Sequence, residues 1–388
     1  MVLIPLNKVI ICRRFKMFDE LYGDLSVIGM KGCDAFTKQV DDYLKQSRKT
    51  NESFIVKADC PRFGTGEGKG IIYESLRGHD VYIICDVFNY SVTYKMYGMD
   101  VPMSPDDHFA DLKRIIGAIG GKARRISIIM PMLYEGRQHR RSARESLDCA
   151  MALQELTTLG VSNIITFDAH DARVQNAIPL GRFEDVRPAY QMIKAMVKNV
   201  PDVSFDKDRM MIISPDEGSM HRCMYYSSVL DIDLGMFYKR RDYTRVINGR
   251  NPIEAHEYLG KSIKGKDVII IDDMISSGDS MLDVAEQLKN KGAARIFMFS
   301  TFGLFNAGLS KMDEAYEKGL FSKVFTTNLI YQSDELLKRE WYCSVNLCKY
   351  TAYIIDTLNH DHSISELLNP VGRIHSLIER TFPNKKFN

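Results

Sequence analysis

Val268-Ile269-Ile270-Ile271-Asp272-Asp273-Met274-Ile275-Ser276-Ser277-Gly278-Asp279-Ser280 runs directly into Met281-Leu282-Asp283-Val284-Ala285-Glu286-Gln287-Leu288. Four consecutive β-branched residues at 268–271 suit a strand covered on both faces. That strand is expected to end on two carboxylates. A Ser/Gly-rich loop follows, and then a helix over 280–291. Gly278 permits a sharp turn, and Ser276, Ser277 and Ser280 offer hydroxyl donors. The helix start adds unpaired N–H groups and the positive end of its dipole. Together these form a cradle for a sugar-linked phosphate. Asp272 and Asp273 cannot hold the phosphate, because like charges repel. They suit ribose hydroxyls, or magnesium through water. The stretch lacks the spaced glycines and terminal Lys-Ser/Thr of a Walker A loop.

Working outward, strands alternate with helices along most of the chain. Strands are expected at 25–29, 53–57, 71–73, 80–86, 125–130, 161–167, 210–214, 234–238, 295–299 and 323–326. Helices are expected at 36–43, 106–119, 144–159, 189–197, 221–230 and, near the end, 350–358, 364–368 and 373–378. Such alternation argues for parallel sheets with right-handed crossovers. The fold class is α/β, in two units of similar plan: 1–187, completed by 347–388, and 188–346. A chain of 388 residues is long enough for two domains. Strands ending on acids at Phe167-Asp168, Ser214-Pro215-Asp216 and Asp272-Asp273 line the crevice where ligands bind in open α/β sheets.

Composition removes other classes. Fifty-two Lys and Arg against 50 Asp and Glu leave a formal charge of +2, which asks for no nucleic-acid partner. No apolar run is long enough to span a membrane, and the N-terminus does not read as a secretory signal. None of the eight cysteines forms a Cys-x-x-Cys pair, so they read as reduced thiols of a cytoplasmic protein.

Five further segments carry chemistry. His170 follows the strand end at Phe167-Asp168-Ala169, and Asp216 stands in the equivalent place of the next unit. An imidazole and a carboxylate can share a divalent ion with phosphate oxygens. Lys239-Arg240-Arg241 opens a polar stretch through His256 that reads as a flap able to close on a polyphosphate. Arg137 and Arg140, after the strand ending at Met130, suit phosphate by their fork geometry. Phe63-Gly64-Thr65-Gly66-Glu67 offers an aromatic plate beside an acceptor carboxylate, suited to a purine.

The loop at 272–280 resembles the ribose-phosphate loop of the phosphoribosyltransferase superfamily. In order along the chain, 63–67 with 74–81, 131–140, 168–170, 214–218, 239–241 and 272–280 resemble the ribose-phosphate pyrophosphokinase family, from about Phe63 to Leu368. The resemblance implies two phosphoribosyltransferase-like domains and transfer of the diphosphoryl group of ATP to the 1-hydroxyl of ribose 5-phosphate, with Mg2+. It implies that Phe63, Glu67, Arg137, Gln138 and Arg140 bind ATP. It places ribose 5-phosphate on Asp272, Asp273, Ser276, Ser277, Gly278 and Ser280, and metal on His170 and Asp216. Lys239, Arg241 and His170 become the catalytic set. It also implies a homo-oligomer, with a dimer as the minimal unit and a hexamer as the larger assembly.

Departures stand at His139, where the family usually has an aspartate, at Asp279, and at Phe302, where a histidine is expected after Thr301. Extra sequence lies near 90–106 and 249–260, and the N-terminus before Asp24 is longer than usual. Two other readings stay open: a transferase consuming phosphoribosyl pyrophosphate, and a non-catalytic regulatory relative.

Overall fold

The computed structural model describes residues 21–241, 253–383 and 385–387. The first half of the chain runs β1 (Leu25–Gly29), α1 (Asp34–Arg48), β2 (Ala58–Asp59), β3 (Ile71–Ile72), β4 (Asp80–Ile84), β5 (Thr93–Met96), β6 (Met99–Pro102), α2 (Pro105–Ile119), β7 (Arg125–Ile129), α3 (Asp148–Thr158), β8 (Asn163–Phe167) and β9 (Arg182–Val186). The second half runs α4 (Ala189–Asn199), β10 (Met210–Ser214), α5 (Met220–Leu230), β11 (Asp233–Arg241), β12 (Ile253–Leu259), β13 (Asp267–Ile275), α6 (Asp279–Asn290), β14 (Ile296–Gly303), α7 (Ser310–Glu317), β15 (Lys323–Thr327), α8 (Asp334–Leu337), β16 (Tyr342–Val345), α9 (Cys348–Asn359), α10 (Ser365–Leu368) and α11 (Val371–Thr381).

The first sheet has the order β1-β4-β7-β8-β9, parallel throughout. Every residue of β4, β7 and β8 is buried, as expected for strands covered by helices on both faces. The second sheet has the order β12-β11-β10-β13-β14-β15-β16 and is parallel except for β12, which turns back antiparallel on β11. Its core gathers Ile270, Met298, Leu288, Met312 and Trp341.

Local chemistry explains the main boundaries. Ser104 and Asp107 form a reciprocal capping box at the start of α2, with Pro105 at its first turn. Gly120, at φ 62°, closes the same helix. Helix α9 is tied to α1 and to the first sheet: Arg48 of α1 donates to Asp356 at 2.8 Å and Asn359 donates to Asp80 of β4 at 2.9 Å. Arg125 in turn grips Asp80 at 2.8 and 2.6 Å and donates to the Leu358 carbonyl at 2.7 Å. Helix α11 instead packs on α4 and α5, where a His375 ring nitrogen lies 2.9 Å from the Val229 carbonyl.

Several expected boundaries are corrected. The strand read at 268–271 runs on to Ile275, because β14 pairs with it as far as Gly303. The acids at 272–273 therefore lie inside the strand. Lys239-Arg240-Arg241 likewise belongs to β11, where its backbone pairs with β12, and does not follow the strand. The side chains of the expected flap, 239–256, and the backbone of 242–252 lie outside the described residues. The strand expected at 53–57 reduces to one bridge between Val27 and Ile55. The helix expected at 144–159 starts only at Asp148. The extra sequence near 90–106 forms the β5–β6 hairpin and the start of α2, with Tyr97 and Gly98 turning at φ 49° and 80°.

Candidate functional site at the facing strand ends

The C-terminal ends of β8 and β13 face one another, and their side chains are bonded across the gap. After β8 the backbone bends at Asp168, whose φ of 46° lies in the left-handed region that Asp tolerates. The Ala169 amide donates to Asp185 at 2.9 Å, which fixes the bend against β9. Asp168 then receives Arg222 Nε at 2.8 and 2.9 Å and the Thr301 hydroxyl at 2.6 Å. Arg222 comes from α5 and Thr301 from β14, so one carboxylate joins the two sheets.

Two residues on, His170 Nδ1 lies 2.7 Å from Asp273 Oδ2. That bond raises the imidazole pKa against the opposing effect of burial. Burial pushes both strand acids upward. For Asp273 the bond from His170 and the charge of Arg222 overcome it, and its pKa is lowered. Asp272 keeps the raised value that burial and the Asp273 charge impose. Asp272 also accepts a hydrogen bond from the Ser219 hydroxyl. Each acid thus has one oxygen engaged within the chain, and both line the cavity where they were read as suited to ribose hydroxyls.

A cavity of about 560 Å³ opens over these groups. Its wall includes His170, Asp216, Asp272, Asp273, Ser276, Ser277, Gly278, Ser280 and Arg140. Arg137 lines a smaller adjoining cavity that shares His170 and Asp273. In the Ser/Gly loop, Gly278 caps α6 at φ 91°, and a Cβ there would stand 3.0 Å from the Met312 sulfur. Both conditions call for glycine. The Ser276 hydroxyl accepts from Asn306 at 3.1 Å, and Asp279 pairs with Lys311 at 2.7 Å, outside the cavity wall.

The remaining residues read from the sequence lie elsewhere. The Gln138 side chain donates to the Ser146 carbonyl at 2.8 Å within its own loop. Phe63 is 57% exposed and lines a separate cavity with Arg62 and Tyr94, and Glu67 accepts from Thr65 at 2.8 Å. Neither contributes to the strand-end cavities. Three residues not singled out from the sequence are central: Arg222, Ser219 and Thr301. Ser219 and Arg222 follow Asp216 by three and six residues, and that closeness in sequence is the signal that could have found them. His139 also lines the cavity, 3.6 Å from Asp171, with its ring centroid 5.4 Å from that of His170.

Among the described residues no cluster of three or more His, Cys, Asp or Glu is arranged to hold a metal alone. Magnesium carried on nucleotide phosphates needs only one or two protein ligands, so the donor set fits an ion of that kind. Burial raises the thiol pKa of all seven described cysteines, which argues against a thiolate nucleophile.

Two α/β units with facing strand ends and a Ser/Gly loop over buried acids define a protein of two phosphoribosyltransferase-like domains. The pattern described as the N-terminal domain of ribose phosphate pyrophosphokinase matches residues 25–160, and the phosphoribosyl transferase domain matches 180–334. A ribose-phosphate pyrophosphokinase of Vibrio parahaemolyticus is 28% identical over 316 residues, covering 80% of this chain and 91% of that protein. Ribose-phosphate pyrophosphokinase A of Dictyostelium discoideum is 26% identical over 318 residues, covering 81% and 90%. The crystal structure of phosphoribosylpyrophosphate synthetase from Mycobacterium smegmatis superposes with a TM-score of 0.69 at 18% identity. That match covers 87% of this chain and 99% of the other, and it supports the fold. The chain belongs to the ribose-phosphate pyrophosphokinase family.

Proposed function

We propose that the protein transfers the diphosphoryl group of ATP to the 1-hydroxyl of ribose 5-phosphate, giving phosphoribosyl pyrophosphate and AMP. The observation that carries this reading is the cavity that gathers the Ser/Gly loop, His170, Asp216 and Arg140 in one wall. The loop residues Ser276, Ser277, Gly278 and Ser280 hold the 5-phosphate through hydroxyls, backbone amides and the helix start. Asp272 and Asp273 lie below it. Arg137 and Arg140 hold the ATP phosphates, with Gln138 fixing the loop between them.

The 1-hydroxyl oxygen bonds to the β-phosphorus as the bond from that phosphorus to the bridging α,β-oxygen breaks. AMP leaves, and the hydroxyl proton is lost to solvent. Lys239 and Arg241 are assigned to the charge that develops on the transferred oxygens. His170 and Asp216 would hold Mg2+, which when bound offsets phosphate charge. With Nδ1 bound to Asp273, His170 keeps Nε2 for such a role, and a carboxylate behind the ring is the usual support for a metal-binding histidine. Positioning and electrostatics supply the catalysis, with no covalent intermediate.

We assign the units as 1–187 and 188–346, with α9 of the 347–388 segment completing the first and α11 lying against the second. Phe63 and Glu67 are assigned to the base of ATP held by a second copy of the chain, since they lie outside this chain's strand-end cavities. A homodimer is then the smallest complete unit, with a hexamer as its larger form, and the compartment is cytoplasmic. No helix among the described residues is long and apolar enough to cross a membrane.

The test is to mix the protein with ATP, magnesium and ribose 5-phosphate. AMP should form one-to-one with phosphoribosyl pyrophosphate. ADP as the product would point to a simple kinase, and no turnover to a regulatory relative.

A further inference from the structure

The β5–β6 hairpin adds nothing to the core. None of residues 93–102 is buried, and the two strands pair with each other but join neither large sheet. A lone two-stranded hairpin is marginal in water, so contacts to the rest of the chain must hold it. Lys31 donates to the Thr93 carbonyl at 3.1 Å, and the Tyr94 hydroxyl donates to Asp107 at 3.3 Å. At its base the Met103 amide donates to the Val92 carbonyl at 2.8 Å.

Three further contacts go to the segment 62–66. The Tyr97 amide donates to the Gly64 carbonyl at 2.8 Å. The Arg62 guanidinium lies 4.7 Å from the centre of the Tyr94 ring, and Asp111 grips that arginine. Met96 lies on Gly66: a Cβ there, at a φ of 93°, would stand 2.9 Å from the Met96 sulfur. Residues 62, 64 and 66 thus meet the hairpin, while the alternate residues Phe63, Thr65 and Glu67 are exposed. The loop's own bonds, from the Phe63 amide to the Glu67 carbonyl at 2.7 Å and from the Gly66 amide to the Phe63 carbonyl at 2.9 Å, fix the shape of its turn. Contacts from outside fix its direction. Arg62, Phe63 and Gly64 share the wall of one cavity, of about 430 Å³, with Thr93, Tyr94 and Lys95.

We propose that the hairpin is a specificity-determining element of the diphosphoryl-donor site, in which Met96 and Tyr97 are positioning residues that set the direction from which Phe63 and Glu67 meet the base of ATP. The inference rests on the assignment of 63–67 to that base. A loop ordered before its ligand arrives loses less conformational freedom on binding. Holding it therefore strengthens binding of the part of the ligand that it touches. The base should feel the hairpin, and the phosphates, held by Arg137 and Arg140, should not.

The experiment replaces residues 93–102 of the full chain by Gly-Gly, which leaves Val92 and Met103 as the ends of a β-turn closed by their existing bond. A milder pair, Met96→Ala and Met96→Leu, keeps the hairpin and decides the matter alone if the excised chain unfolds. Hydrogen exchange at the Phe63 and Gly66 amides, without ligand, reports the order of the loop. Titration with a non-hydrolysable ATP analogue and with inorganic tripolyphosphate, each with magnesium, separates base from phosphates. Excision should speed exchange at both amides by about tenfold or more. It should weaken the analogue by about tenfold and leave tripolyphosphate within about twofold of the parent. Met96→Ala should move the same readouts by about threefold, and Met96→Leu should restore them. Parent-like exchange overturns the proposal and leaves the base assignment standing. Faster exchange with parent-like affinity for the analogue overturns both. Equal weakening of the two ligands places the effect on the phosphates and overturns the hairpin's role in specificity. AMP formation by the parent, measured separately, keeps a failure of the transfer reading distinct from each of these.

Discussion

Asp86 and Asp273 both sit at the C-terminal end of a buried parallel strand, yet their surroundings pull their proton affinities in opposite directions. Asp86, just past β4, accepts only backbone amides, from Phe88 at 2.9 Å and Tyr331 at 2.7 Å. Burial raises its pKa to about 6 in spite of those bonds. Asp273 has His170 on one oxygen and the Arg222 charge nearby, and its pKa is lowered although it is equally enclosed. Amide donors alone do not offset the loss of water around a carboxylate here; a cation does. The first acid serves as a latch between the end of β4 and the segment after β15. The second belongs to a charged network open to a cavity. Strand-end acids in this fold therefore divide by their non-local partners.

The largest expected effect breaks that network at its other carboxylate. Asp168→Asn removes the carboxylate that Arg222 grips and leaves it only the longer-range charges of Asp272 and Asp273. Removing one member of a buried pair costs about 3–5 kcal/mol. Chemical denaturation should show that loss, and a change below about 1 kcal/mol would mean the pair is solvated well enough to be dispensable.

A second test asks whether the network positions groups for a reaction supplied from outside it. Lys239→Ala and Arg241→Ala should each remove about 3 kcal/mol of transition-state stabilisation, roughly a hundredfold in turnover. Ribose 5-phosphate binding should stay close to the parent value, because the loop at 276–280 is untouched. Parent-like turnover in both variants would remove 239–241 from the mechanism.

The Asp86 side of the comparison is sharpened by pH. An acid whose pKa rises on folding binds its proton more tightly in the folded state. Its contribution is most favourable below the ordinary value of 3.8 and declines as pH rises through about 6. Across that window the decline amounts to about 3 kcal/mol. Asp86→Asn should flatten the fall in stability over this range. At neutral pH the net change should be small, since losing one acceptor for Phe88 or Tyr331 offsets the removed charge. An unchanged slope between pH 4 and pH 6.5 would show that Asp86 does not titrate there.

How much of this was legible depends on how local each feature is. The Ser/Gly loop, its glycine and the following helix are adjacent in sequence, and their physics could be read directly. The parallel sheets followed from apolar runs at 80–84, 125–129, 210–214 and 268–271. β9 was missed because Arg182-Phe183-Glu184-Asp185-Val186 is an edge strand without such a run. The reach of β13 through its acids was missed because β14, more than 20 residues away, decides it. The bonds from His170 to Asp273, Ser219 to Asp272 and Arg222 to Asp168 join residues 103, 53 and 54 apart. No local pattern announces them. The hairpin at 93–102 did carry a signal, since alternation around Tyr97-Gly98 is a two-residue turn pattern.

That hairpin sets up the smallest predicted effect, at the loop 63–67 proposed to bind the base. The loop's backbone is held while the Phe63 side chain is open. Tyr97 donates its amide to the Gly64 carbonyl at 2.8 Å, and Met96 lies against Gly66, so the extra hairpin props the loop. Phe63 remains exposed, and among the described residues the Glu67 carboxylate has only Thr65 as a side-chain partner. A carboxylate there would favour the exocyclic amine of adenine over the carbonyl of guanine, but partial hydration limits the preference to about 1 kcal/mol. Glu67→Gln, whose amide can also donate, should narrow the gap between ATP and GTP as diphosphoryl donors by roughly fivefold at most. Competition kinetics with the two nucleotides measures this. Unchanged discrimination would move base recognition away from residues 63–67. If a second copy completes the site, dilution should raise the apparent KM for ATP in parent and variant alike, before far-UV dichroism reports any unfolding.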